Sequence, residues 1–171
     1  MFKNSGFFNQ EMNYYNSISP GYDELYEEEQ LKKCKIISEN FDCKNKKILD
    51  AGCGTGIAAN FFNCQTGIDP SEKLIEIARK KHPKIEFIVA KAEKLPFKNN
   101  EFDAVISVTA IQNFDDIEKG LDEIKRVGKE FVLTFLKKSE KRDFIERTIK
   151  RLFETKRIVE EDKDVIYFCK K

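Results

Sequence analysis

Ile48-Leu49-Asp50-Ala51-Gly52-Cys53-Gly54-Thr55-Gly56 is the stretch on which the reading of this chain turns. A short apolar run stops at glycines spaced two apart, and Ile57 to Asn63 then has the composition of a helix. Glycines between a strand and a helix let the backbone turn tightly and approach a ligand with no Cβ in the way. The unpaired N–H groups opening the helix point at the same place. The spacing is G-x-G-x-G, and Ile57 stands where a dinucleotide fingerprint G-x-G-x-x-G needs glycine, which disfavours a nicotinamide-dependent oxidoreductase. Asp69 ends the next apolar run 17 positions after Gly52, where a carboxylate can accept hydrogen bonds from ribose hydroxyls. A nucleoside bound at the carboxyl edge of a sheet is the expectation.

Outward from that loop, apolar runs and helical periods alternate. Thr66-Gly67-Ile68 reads as a strand before Asp69-Pro70, with proline at the first helical position and a helix over Ser71–Lys81. Ile85–Ala90 and Phe102–Val108 read as the third and fourth strands. Asp115 and Glu118 have the spacing of a capping box, opening a helix with Ile117, Leu121, Ile124 and Val127 inward. Glu130–Leu136 is an apolar fifth strand, followed by a helix over Ser139–Phe153 that places Phe144, Ile145, Thr148, Ile149 and Leu152 inside. Arg157–Glu160 and Val165–Cys169 have no helix between them and must pair antiparallel. The fold class is therefore α/β: one Rossmann-like domain over residues 22–171, a seven-stranded mostly parallel sheet with a C-terminal antiparallel hairpin, and helices on both faces. Residues 1–21, polar and aromatic, read as an N-terminal arm or lid. From Tyr22 a helical period follows in Tyr22, Leu25, Tyr26, Cys34, Ile37 and Phe41.

Composition narrows the function classes. The 31 Lys and Arg balance 30 Asp and Glu, so no global field announces nucleic acid or a membrane. Asp23–Glu29 is acidic, and Lys137–Arg157 carries nine basic residues against four acidic ones. Both read first as solvated helix faces. The basic segment also favours an anionic acceptor, through phosphate contacts. Cys34, Cys43, Cys53, Cys64 and Cys169 contain no C-x-x-C pair; an odd, scattered set suits reduced thiols in a cytoplasmic protein, with no metal site. The first nine residues are too polar and broken for a signal peptide.

Four segments in register carry a family resemblance. Leu49-Asp50-x-Gly52-Cys53-Gly54-Thr55-Gly56 resembles the first motif of the class I S-adenosylmethionine-dependent methyltransferases. Gly67-Ile68-Asp69-Pro70-Ser71, Ala92-Glu93-Lys94-Leu95-Pro96-Phe97 and Phe102-Asp103-Ala104-Val105-Ile106-Ser107 follow in the family's order, over about residues 15 to 136. The resemblance is to the group that includes ubiquinone and menaquinone biosynthesis enzymes and RNA-modifying enzymes. It implies S-adenosyl-L-methionine as cofactor, with Asp50, Gly52, Cys53 and Gly54 bordering its methionine part and ribose. It implies Asp69 on the ribose hydroxyls, Pro70 beside the adenine, Ala92 and Glu93 along the adenine edge, and Ser107 and Val108 under the methionine. Lys91 stands where the family more often has Asp, and a lysine cannot accept from the adenine amino group. Tyr15 and Tyr22 fall where the family places aromatic lid residues.

The methyl acceptor is less legible. The family commonly shows histidines after the fourth strand; here the loop is Thr109-Ala110-Ile111-Gln112-Asn113-Phe114. Gln112 and Asn113 can orient an acceptor by hydrogen bonds but cannot act as bases near neutral pH. The loop also resembles one in enzymes that methylate a guanine ring nitrogen of ribosomal RNA. His82 is the only histidine and reads as an exposed loop residue, and Cys53 reads as packing. The expectation is methyl transfer to RNA, a protein or a metabolite, RNA or a small molecule above all. By likeness to related enzymes, a small zinc-binding activator subunit is an expected partner. The alternative is a non-catalytic cofactor-binding subunit of a methyltransferase complex.

Overall fold

A computed structural model describes residues 20–171, with side chains from Glu24 onward. The expected arm, including Tyr15, lies outside the described residues, as does the side chain of Tyr22. Helix α1 spans Pro20–Asn40 and is rich in Glu and Lys, which lose little rotamer freedom in a helix. The amide of Asn40 bonds back to Ile36 O, satisfying one carbonyl of the last turn. The buried stripe departs from the apolar pattern. Leu25 and Tyr26 are 56% and 37% exposed, whereas Gln30 and Lys33 lie buried beside Cys34 and Ile37.

After α1 come β1 (Ile48–Ala51), α2 (Ile57–Phe61), β2 (Thr66–Asp69), α3 (Glu72–Lys81), β3 (Glu86–Val89) and β4 (Ala104–Ser107). A 3₁₀ turn at Ile111–Asn113 leads into α4 (Ile117–Val127), β5 (Glu130–Leu136), α5 (Arg142–Leu152), β6 (Glu154–Glu160) and β7 (Asp164–Lys170). The sheet order is β3-β2-β1-β4-β5-β7-β6. β1 to β5 are parallel neighbours, with Asp50 level with Gly67 and Ile106. β7 is antiparallel to both β5 and β6, so the hairpin is present and its second strand lies inside the first. One apolar core packs α4 and α5 on one face around Phe102, Phe131, Phe135 and Tyr167. The other packs α1, α2 and α3 around Ile37, Ile48, Ile75 and Ile106. Among the described residues no helix is long and apolar enough to cross a membrane.

Four local expectations need correction. Pro70 precedes the helix instead of opening it: Ser71 is the cap, and its hydroxyl accepts from Leu74 N. The cap of α4 is Asp116, accepting from Lys119 N at 3.0 Å, whereas Asp115 pairs with Lys91 and Glu118 with Arg151. α5 starts at Arg142, because Ser139 closes a turn through its carbonyl and hydroxyl. Phe144 is 43% exposed; the inner face of α5 is Ile145, Thr148 and Ile149.

Candidate active site

In this order the chain leaves β1 toward β2 on one side and β4 on the other, so a crevice opens at the carboxyl ends of these strands. The glycine loop fills its floor. Gly52 N and Cys53 N both donate to Ile68 O, at 2.8 and 2.9 Å, and Gly56 N donates to Cys53 O. Gly52 has φ +82°, and a Cβ there would stand 2.4 Å from the Cβ of Ala110. Gly54 also has positive φ, yet nothing lies within 4 Å of a Cβ built on it, so its bare backbone faces open space. Gly52→Ala is therefore expected to lower the unfolding free energy by about 2 kcal/mol or more, from left-handed strain plus the clash. Gly54→Ala should cost only about 1 kcal/mol. Urea titrations followed by circular dichroism compare the two; equal losses would contradict the asymmetry.

Two carboxylates meet under this loop. Asp69 is 9% exposed; its oxygens accept from Gly54 N at 3.0 Å and Ser71 N at 2.9 Å. Burial raises its pKa, and these two amides oppose the rise. Asp50 is 1% exposed, and its Oδ2 is buried with no hydrogen-bond partner among the described residues. Burial first, then repulsion from Asp69, push the Asp50 carboxyl up to about 7, against a lowering contribution from the Ala59 amide. A half-satisfied buried carboxylate calls for a cation. Asp50 lines a cavity with Gly52, Gly54, Val108, and Tyr26 and Gln30 of α1.

The loop after β4 forms the adjoining wall. Thr109 holds φ +57°, a left-handed conformation that costs a β-branched residue about 1–3 kcal/mol. A buried network keeps it there. Its N–H donates to Thr134 Oγ1, its hydroxyl donates to Asp164 Oδ2 at 2.6 Å, and Lys33 Nζ donates to that hydroxyl at 2.9 Å. Lys33 and Asp164 form an ion pair at 3.1 Å with side chains 4% and 0% exposed. The network thus fastens α1 to β7 and to the loop beside the crevice. Gln112 Nε2 donates to Thr109 O and Lys141 Nζ to Gln112 O, while Gln112 Oε1 is buried without a partner among the described residues. Asn113 is exposed on the same turn.

The remaining expected residues fall around the rim. Pro70 is exposed and Ala92 is buried. Glu93 accepts from Asp116 N at 3.1 Å, and Lys91 is drawn to Asp115. The Ser107 hydroxyl is fully buried and donates to Ala51 O, tying β4 to β1. Cys53 packs against Gly67, with a thiol pKa raised by burial, which suits packing and not nucleophilic attack. His82 is not a free loop residue: it ends α3, its ring lies against Phe87 and near Gly56, its Nε2 is buried, and burial lowers its pKa. Much of the basic segment is occupied in ion pairs, Lys137 and Arg142 with Glu160, and Arg142 and Lys150 with Glu146. Gln30, Lys33, Thr109 and Asp164 were not anticipated as parts of the site or its support.

A model of the family described as "Methyltransferase domain" matches residues 49–132, which run from β1 into the start of β5. Across residues 49–132 the chain has the sequence of a methyltransferase domain. This domain is 37% identical over 117 residues to a demethylmenaquinone methyltransferase of Chlorobaculum tepidum, covering 66% of the chain and 48% of that protein. The chain spans about half the length of several curated relatives it matches. A Pyrococcus horikoshii crystal structure superposes with TM-score 0.77 at 21% identity, covering 92% of this chain and 98% of that one. A Haloferax volcanii putative methyltransferase, solved in complex with the Trm112 methyltransferase activator, gives TM-score 0.73 at 15% identity, covering 88% and 94%. At those identities the solved structures establish the methyltransferase fold.

Proposed function

We propose that this chain binds S-adenosylmethionine in the crevice above the glycine loop and transfers its methyl group to an RNA or small-molecule acceptor. The observation that carries the proposal is the buried, partnerless Oδ2 of Asp50 beside the open face of Gly54. Such a place fits a ligand with a cationic amino-acid end and a nucleoside body. When bound, the cofactor supplies a methyl group activated on a sulfonium sulfur. The chain's own part is to bind, orient and exclude water, and positioning can provide most of the acceleration for such a transfer. Asp50 accepts the ammonium group. Asp69 keeps a second lone pair on each oxygen for ribose hydroxyls, and Pro70, Ala92 and Glu93 border the adenine.

Gln112 and Asn113, on the turn after β4, are the substrate-side candidates, able to orient an acceptor by hydrogen bonds. Neither residue takes up a proton near neutral pH, so the acceptor atom must bring its own lone pair or lose its proton readily. A heterocyclic nitrogen meets that demand. The quinone ring implied by the name of the Chlorobaculum relative is the small-molecule counterpart. The Haloferax complex supports an activator subunit as a partner of this chain too, and a cytoplasmic location accords with the absence of a membrane-crossing helix among the described residues.

Incubating the protein with methyl-labelled cofactor and separated RNA, protein and lipid-metabolite pools tests the assignment, with label expected in one pool. No transfer to any pool, with or without a co-expressed activator, would leave a binding subunit in its place. Asp69→Ala is expected to weaken cofactor binding by about 1.5–3 kcal/mol, the scale of lost hydrogen bonds to a charged group. Unchanged affinity in calorimetry would remove Asp69 from the ribose site.

A further inference from the structure

We infer that Gln30, on the inner face of α1, is a binding residue for the carboxylate at the amino-acid end of the cofactor, acting as the counterpart of Asp50 across the same cavity. The inference rests on the cofactor assignment proposed above and adds a residue to it.

An α-amino acid end carries a cation and an anion on one carbon. Asp50 can serve only the cation, since an ionised carboxylate accepts and never donates. The anion needs N–H or O–H donors, and the glycine loop has few left. Gly52 N and Cys53 N are engaged by Ile68 O, Gly54 N by Asp69, and Gly56 N by Cys53 O. Within the loop that leaves Thr55. Lys33, the nearest cation along the inner stripe of α1, is held by Asp164 and Thr109.

Gln30 is different. It is 4% exposed and lines the cavity with Asp50, and its amide makes no side-chain hydrogen bond among the described residues. The polar end of that amide is not sealed off from the cavity, so a ligand seated there can reach it. One turn further along, the Lys33 anchor fixes α1 and so fixes where Gln30 stands over the loop. An amide donor and a carboxylate lining one cavity with the open backbone of Gly54 make a two-pole site for a zwitterion.

Calorimetry with three ligands reads this directly: S-adenosylhomocysteine, its decarboxylated amine analogue, and 5′-methylthioadenosine, which lacks the whole amino-acid end. Gln30→Leu is expected to weaken S-adenosylhomocysteine about tenfold or more, the scale of a hydrogen bond to a charged group, and to leave the other two unchanged. Gln30→Glu, close in shape, should weaken S-adenosylhomocysteine further through charge repulsion while the amine analogue binds as well or better. Equal losses for all three ligands would overturn the inference, reducing Gln30 to a wall of the crevice. Failure of the wild-type protein to bind S-adenosylhomocysteine at all would instead overturn the cofactor assignment itself, and Gln30's role with it.

Discussion

Asp164→Ala is expected to cost about 3–5 kcal/mol of unfolding free energy, the largest loss of any single substitution considered, because it strands a buried lysine. Lys33 lies 3.1 Å from the Asp164 carboxylate with almost no solvent around either side chain. Without its partner, the ammonium would stay buried and uncompensated or pull α1 away from the sheet. The same carboxylate accepts from the hydroxyls of Thr109 and Thr134, so the left-handed turn at Thr109 would lose its brace as well. The double variant Lys33→Met/Asp164→Leu removes both charges and should recover at least ~1.5 kcal/mol relative to Asp164→Ala alone, since a matched apolar pair can replace a buried ion pair. Urea unfolding of the set decides. A loss under about 1 kcal/mol for Asp164→Ala, far below the range for breaking a buried pair, would mean the pair is hydrated in solution.

Asp50→Asn is expected to act in the opposite direction on the ligand-free protein. The folded state holds this carboxyl near 7, against about 3.9 for an unfolded aspartate. A pKa raised on folding means that the stability tied to the group is complete below pH ~4 and is lost as pH rises through about 7. At pH 8 the ionised, partly unpaired carboxylate therefore opposes folding, by roughly 2–4 kcal/mol. Asparagine keeps an oxygen for the Ala59 amide and carries no charge. The variant should exceed wild type in stability at pH 8, match it near pH 4, and lose affinity for S-adenosylhomocysteine. In the wild type, pairing with the ligand's ammonium should draw the Asp50 pKa down, so that binding near pH 6.5 releases protons, seen by calorimetry in buffers of different ionisation enthalpy. A variant with the same pH slope as wild type would mean that another group governs it.

The parts of this protein that obey period and spacing were legible from residues alone. The glycines at 52, 54 and 56, the apolar runs of β1 to β5 and the carboxylate at 69 follow local rules, and the sheet realises them. What escaped was polar residues doing interior work. Gln30 and Lys33 share the inner stripe of α1 with Cys34 and Ile37, but an amide and an ammonium read as solvent-facing when their partners lie far along the chain. Asp164, a carboxylate just ahead of the apolar run Val165–Cys169, carries no local sign of burial for the same reason. Its burial depends on β7 slotting beside β5, a long-range pairing with no local mark in the sequence. The cap at Asp116 was displaced by one residue because Asp115 and Asp116 are equally suited to the role, and only the tertiary pull of Lys91 separates them. The exposure of Phe144 has a similar origin, in the rotation of α5 once Ile145, Thr148 and Ile149 are seated.

The sheet order β5-β7-β6 also sets a timetable for biosynthesis. β6 leaves the ribosome first, but it can join the sheet only through a strand that is made after it. Until residues 164–170 emerge, β5 ends in an unpaired edge and Lys33 has no counter-ion, so the wall formed by α1 cannot lock. The crevice is thus completed after translation has passed its last strand, and a nascent chain stalled before residue 164 should hold the glycine loop without being able to close over a nucleoside.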